Sequence, residues 1–339
     1  RDVTVSYGSG DNRSVAVDLG DRFGEASQFG YRLNVAHTDL NPYIRQTQGK
    51  RDLMALAMDW RIDGNTRLEW EIESSSRQQM GINAVSLTGN TLPSPAFAKN
   101  NFTRQAWSVP EVFEGLTGTL RLKQRLDNGW LWTTQYGSQR LKTDDRLTFG
   151  YGCYAEGNYD RFCSDKNFDL YDYRSENEHR LSDALQTELS GQVQWAGLQH
   201  DVSLTWLRQR QIDRLSAKQA YNYAGTGSLS GVSDSFAAPE PLDQNTQRQE
   251  YATELSAKDR IHVNQYADLW LGLRLSQITR NSAHTDGGNP THDHRSFSTP
   301  WLAFSHKLPL NSVGYVSYGQ GIEAQVTPNR TWYTNAGLA

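Results

Sequence analysis

The stretch Gly115-Leu-Thr-Gly-Thr-Leu-Arg-Leu-Lys123, followed by Asp127-Asn128-Gly129, decides how the rest of the chain is read. Leu116, Gly118, Leu120 and Leu122 share one face of an extended chain, and Thr117, Thr119, Arg121 and Lys123 the other. That is the two-residue period of a half-buried strand. Asp-Asn-Gly supplies the backbone freedom of a tight primed turn. Trp130 to about Leu141 then returns, so Glu114 to Asp145 reads as one β-hairpin. Each arm has about 10 or more residues, longer than the roughly 5–6 of an ordinary strand and as long as a tilted strand that crosses a bilayer.

The unit recurs. Asp2–Tyr7 and Asn12–Leu19 flank Gly8-Ser9-Gly10-Asp11; Gly20–Gln28 is expected to return the chain and Gly30–Thr38 to climb again. Arg51–Ile62 aligns Met54, Leu56, Met58 and Trp60, and Asp63-Gly64-Asn65 turns into Thr66–Ser75. There Leu68, Trp70 and Ile72 alternate with Glu69, Glu71 and Glu73; three carboxylates on one face suit a wet lumen and not a dry core. Further strands are expected at His179–Trp195, Asp201–Arg208, Gln249–Val263, Tyr266–Ile278, Ser296–Leu308 and Ser312–Gly319. Short turns alternate with long polar loops at about Gln78–Phe113, Arg146–Asn177 and Ser216–Arg248, and a shorter one at His284–Arg295. Loops of that length are foreign to a compact domain but belong on the outer side of a membrane barrel, whose periplasmic turns stay short. The fold expected is an all-β, antiparallel transmembrane β-barrel of about 13 strands, a partial one, because bacterial single-chain barrels have even strand numbers. Gly337-Leu338-Ala339 carries no closing strand, so residues 1–339 are read as the N-terminal portion of a barrel truncated at both ends.

Composition agrees without deciding. Only 37% of the 339 residues are hydrophobic, and no run approaches the roughly 18 apolar residues of a membrane helix. A barrel needs apolar residues only at alternate positions. The 10 Trp and 16 Tyr fit interfacial girdles, and equally a soluble carbohydrate-binding β-protein. A net charge of −4 offers no footprint for nucleic acid. Cys153 and Cys163 lie in one polar loop, where exposed thiols are reactive liabilities; a disulfide is expected, which requires an oxidising compartment.

Three phrases carry a family likeness. Gly314-Tyr315-Val316-Ser317-Tyr318-Gly319-Gln320-Gly321 with Thr327-Pro328-Asn329 resembles a strand and loop start of TonB-dependent outer-membrane siderophore receptors. Val5-Ser6-Tyr7-Gly8-Ser9 with Val15-Ala16-Val17-Asp18-Leu19-Gly20 resembles that family's first barrel hairpin, and Gly89-Asn90-Thr91-Leu92-Pro93 a recurring outer-loop phrase. The resemblance implies a 22-stranded barrel filled by an N-terminal plug, of which this chain holds roughly the first 13 strands and no plug. It further implies import of a ferric siderophore across the bacterial outer membrane, with energy from the TonB–ExbB–ExbD complex acting through the plug. No cofactor is expected. The alternatives are a passive outer-membrane porin, a receptor for another scarce nutrient such as cobalamin, and a soluble surface-binding β-protein.

The site expected is aromatic. Tyr151, Tyr154, Tyr159, Phe162, Phe168, Tyr171 and Tyr173 crowd the cysteine loop, and Trp107, Tyr221 and Tyr223 stand in the other two loops. Tyr and Trp bind a chelate by stacking and hydrogen bonding, with Arg161 or Lys166 attracting an anionic one; the competing reading has these rings packing the loops on themselves. His292-Asp293-His294 with His284 suggests a metal site less well than a solvated loop. Glu69, Glu71 and Glu73 are read as a hydrated wall or as partners of plug arginines. No nucleophile elbow, phosphate loop or zinc-spaced cysteine pair is present, and no metal or catalytic residue is expected.

Overall fold

A computed structural model describes residues 1–82, 84–231, 233–235, 240–323 and 327. Pro328 and Asn329 of the family phrase, and Gly337-Leu338-Ala339, lie outside the described residues.

Among the described residues sixteen strands form one antiparallel sheet. They are β1 (Asp2–Tyr7), β2 (Arg13–Phe23), β3 (Phe29–Leu40), β4 (Gly49–Arg61), β5 (Thr66–Gln79), β6 (Glu111–Arg125), β7 (Leu131–Gly150), β8 (Asn167–Trp195), β9 (Leu198–Arg214), β10 (Lys218–Ser228), β11 (Ser233–Ser235), β12 (Asp243–Gln244), β13 (Thr246–Asn264), β14 (Ala267–His284), β15 (Thr291–Leu308) and β16 (Ser312–Gly319). Thirteen of them follow one another as a wall, β1 through β9 and then β13 through β16, each bonded to the next in this order. The expected count of about 13 describes this wall. Gly20 to Phe23 does not return the chain as expected but prolongs β2, and only Gly24–Gln28 turn. Among the described residues no ladder joins β1 to β16.

Alternation dictates the wall's two faces. Leu120 on β6 faces Tyr136 on β7, which faces Leu185 on β8; below them Leu204, Leu255 and Leu275 continue the band across β9, β13 and β14. These side chains remain exposed in the isolated chain, as a lipid-facing surface does. At the level of the short turns the band ends in rings: Phe23 stacks on Phe29 at 5.2 Å, and Phe29 on Trp60 at 5.7 Å. The opposite face is polar. Arg22 donates to Asp59 at 2.8 and 3.0 Å, and Glu69 receives Arg121 at 2.9 Å, Arg67 at 3.0 Å and Lys123 at 3.3 Å around a hollow of about 430 Å³. Glu69 thus finds its cations within the wall, whereas Glu71 and Glu73 are exposed. The turns follow their sequence: Asp63 Oδ1 accepts from the backbone N–H groups of Asn65 and Thr66 at 2.7 Å, and Ala196-Gly197 both take positive φ.

The long loops are not structureless. β7 and β8 run on above the wall, pairing Phe149 with Tyr171 and Gly150 with Leu170, so the unpaired part of the cysteine loop shrinks from the expected 146–177 to 151–166. The expected polar loop after β9 contains β10, which climbs along β8 from Ala220↔Arg174 to Ser228↔Asn167, and β11 and β12 line its other edge. These five strands, β7 and β8 through their upper parts, make a projecting sheet, a tower above the wall. It is set off from the wall by a bulge: Thr143 pairs with Glu178 but Asp145 with Ser175, leaving Asn177 at φ 55° with its N–H on Asp144 Oδ1 at 2.7 Å. The extra residue switches the parity of β8. Below it Glu178 and the even positions face the bore, and above it Ser175, Tyr173 and Tyr171 do. The histidine stretch belongs to β15, where His292 meets Asn281 Oδ1 at 2.6 Å and His294 meets Thr279 Oγ1 at 2.9 Å. Asp293 points to the opposite face, so these side chains do not converge.

Candidate aromatic site on the tower

One face of the tower is packed. Phe168 and Leu170 on β8 and Ala224 on β10, with Leu229 just beyond, are fully or almost fully buried against Phe102 and Phe162, with Phe97 and Trp107 at the margin. Phe162 lies 4.8 Å from Phe168, and Phe102 5.3 Å from it edge-on. Each fully buried ring contributes roughly 1.5–3 kcal/mol through lost hydration. Phe102 comes from the loop between β5 and β6, which also bonds to the cysteine loop through its backbone, Gly89 N to Phe162 O at 3.0 Å and Phe162 N to Leu87 O at 2.8 Å. Two loops distant in sequence are one body. Cys153 and Cys163, both buried, are joined by a disulfide that closes the tip. The self-packing reading therefore describes Phe162 and Phe168.

The other face is open and carries the phenols. Tyr171 is the hub: its ring lies 5.9 Å from Phe149, 6.1 Å from Tyr221, 5.9 Å from Tyr223 and 6.4 Å from Tyr151. Tyr173 meets Tyr221 at 6.4 Å. Period-two alternation on three adjacent strands lines them up, with Leu147, Phe149 and Tyr151 on β7 and its exit, Tyr171 and Tyr173 on β8, and Tyr221 and Tyr223 on β10. Down β7 this is the side of Asp145 and Thr143, continuous with the polar face of the wall, so the phenols look over the bore.

Electrostatics distinguish the face further. Burial, with the negative charge of Asp169 beside it, pushes the Tyr171 phenol above its ordinary value. Burial does the same for Tyr173, reinforced by Glu178 and Asp145. Both therefore present neutral hydroxyls at physiological pH. On the packed side, burial pushes the Asp172 carboxyl up although Arg174 stands 3.2 Å away.

The structure brings Tyr151, Tyr171, Tyr173, Tyr221 and Tyr223 together, and Tyr159 lies close enough to Tyr171 to affect its ionisation. Tyr154 stands apart at the loop tip, exposed, its N–H held by Asp169 Oδ2 at 2.7 Å. Trp107 is on the packed side under the Arg174 guanidinium, 5.1 Å from its ring. Arg161 is closed on Asp160 at 2.8 and 3.0 Å and on Asn90 at 2.5 Å, and Lys166 sits over Phe97 at 5.8 Å. Both cations are held by these partners. Phe149 is a member the sequence reading passed over; its alternation with Leu147 and Tyr151 was the available signal.

No family model matches the chain. The ferrichrome receptor FcuA of Yersinia enterocolitica is 28% identical over 137 residues, 40% of this chain and 17% of that protein. The ferric preacinetobactin receptor BauA of Acinetobacter baumannii superposes with a TM-score of 0.76 at 16% identity, over 99% of this chain and 49% of that one. The ferric-catecholate import receptor Fiu of E. coli K12 gives 0.75 at 17% identity, over 93% and 53%. The chain thus spans about half the length of these solved receptors. The structural likeness shows the fold, a portion of an outer-membrane β-barrel, and the relatives are siderophore receptors, as the phrases in the sequence indicated.

Proposed function

We propose that the chain is part of an outer-membrane receptor that imports a ferric siderophore, captured first on the phenolic face of the tower. The observation that carries this reading is placement. A cluster of six aromatic rings is held open on a disulfide-closed, self-packed support, directly over the polar side of a membrane wall. Rings with hydroxyl tips offer a large, rigid, amphipathic contact of the kind a bulky chelate needs. In this reading residues 1–339 supply the first 13 strands of a barrel of 22. A plug outside these residues receives energy from the TonB–ExbB–ExbD complex, and lipid covers the outer band.

The test is uptake of radiolabelled ferric chelates by a deletion strain carrying the full-length gene or its Tyr171→Ala/Tyr221→Ala variant. Uptake of at least one chelate is expected, abolished by loss of TonB and reduced about tenfold or more at limiting chelate by the variant. Uptake that persists without TonB supports the porin reading instead, and uptake of cobalamin alone supports a different nutrient.

A further inference from the structure

Charge around the phenols narrows the ligand. Asp145, opposite Ser175, and Glu178, opposite Thr143, stand on the bore side directly beneath Tyr173; Asp169 stands two positions before Tyr171 on β8, and Glu111 lies one place beyond the Val112↔Asp144 pair, beside Asp145. Against these four carboxylates stand the guanidinium groups of Arg180 and Arg77, with Arg51 opposite Arg77 one strand further along. Arg180 is bonded to Glu178 at 2.5 Å and to Thr143 Oγ1 at 3.0 Å, and Arg77 to the Gln79 side-chain oxygen at 2.5 and 3.1 Å. The next cations along the same register are closed one to one, Arg248 on Asp213 at 2.8 Å and Arg280 on Glu250 at 2.5 Å. The two cations that suggested an anionic ligand, Arg161 and Lys166, are engaged elsewhere.

Iron(III) chelates divide by charge. Three hydroxamate arms carry one negative charge each and give a neutral complex; three catecholate arms carry two each and leave three negative charges over. A trianion brought to this face meets more carboxylates than cations among the described residues, and in a partly dehydrated site such repulsion is poorly screened. A neutral complex meets ring faces and neutral hydroxyl donors, with no charge to desolvate.

From this geometry we infer that the phenolic face selects a ferric chelate without net negative charge, of the tris-hydroxamate class, and discriminates against tris-catecholates. The inference rests on the reading of the face as a chelate site and specifies its ligand.

Two ferric chelates built on one tripodal scaffold, a tris-hydroxamate and a tris-catecholate, test it by quenching of intrinsic fluorescence in the full-length receptor in detergent. The neutral chelate is expected to bind at least about tenfold more tightly, with a dissociation constant nearly independent of salt between 50 and 300 mM, roughly across the range in which screening changes most. Glu178→Gln is expected to strengthen the catecholate and leave the hydroxamate unchanged. Because Glu178 also receives Arg180 and Thr143, Asp145→Asn serves as a second variant with the same expected direction. Tighter binding of the catecholate, or a Glu178→Gln and Asp145→Asn pair that both leave the ratio unmoved, overturns the charge inference while leaving the chelate site standing. Failure of both chelates to bind, with Tyr171→Ala equally silent, overturns the chelate site and the inference together.

Discussion

The wall and the tower are made from the same strands and obey different rules. Below Asn177, β7 and β8 have one face toward lipid and one toward water, and their packing partners are solvents. Above it, the same two strands bury Phe168 and Leu170 under residues from three loops and leave Tyr171 and Tyr173 open. The wall is held by its ladders, the tower by a small core and a disulfide. A tower with a core and a disulfide of its own is expected to open independently of the wall. Its local opening should be the softer of the two.

Removing the tower's central ring should separate them most clearly. Phe168→Ala is expected to cost about 3–5 kcal/mol locally. Hydrogen exchange and limited proteolysis in 151–166 and 218–235 should rise, while the wall keeps its protection; equal loss in both would mean that tower and wall fold as one unit. The converse substitution acts on the wall. Leu273→Arg, on the lipid band, is expected to cost about 2–4 kcal/mol and to lower insertion into outer-membrane vesicles without exposing the tower to protease.

Smaller effects should appear within the tower itself. Tyr171→Ala is expected to weaken chelate binding about tenfold with no change in protease resistance, since the ring packs only on the open face. The phenol titration offers a second handle. The folded-state value of Tyr171 is raised, so its contribution to tower stability is present below the unfolded value of about 10 and is lost as pH rises through the folded one. Absorbance at alkaline pH should show a late phenolate step that Tyr171→Phe removes. The smallest effect belongs to the surface pair. The Arg161 guanidinium beside Asp160 holds that carboxyl below its usual range, so the pair's contribution is present above about pH 4 and fades as acid protonates Asp160. Arg161→Ala should make loop proteolysis insensitive to pH between about 3 and 5 with little change at neutrality.

The same contrast explains what the sequence disclosed. The wall was legible because Leu116 to Lys123 and Leu68 to Glu73 alternate cleanly against two unlike solvents and end at Asp-Gly-Asn or Asp-Asn-Gly. The tower was not, because both its faces are aromatic: Phe168, Leu170, Tyr171 and Tyr173 read as a crowded loop, and nothing in their types says which ring is covered. Tyr221-Asn222-Tyr223 does alternate, but Gly and Ser on either side hid β10. Coverage of Phe168 is decided by Phe102, from 66 positions away in the chain, and that distance is invisible to any local pattern.

The single supernumerary residue at Asn177 makes the tower fragile to insertion and deletion in a way ordinary loops are not. Loss of one residue there would restore even spacing through β8 and turn the strand's upper half over, sending Phe168 and Leu170 toward the pore and the tyrosines toward the cell exterior. Point substitutions would change single rings of this face; a frame-preserving loss of one codon would instead invert the face while leaving the chain's composition almost untouched.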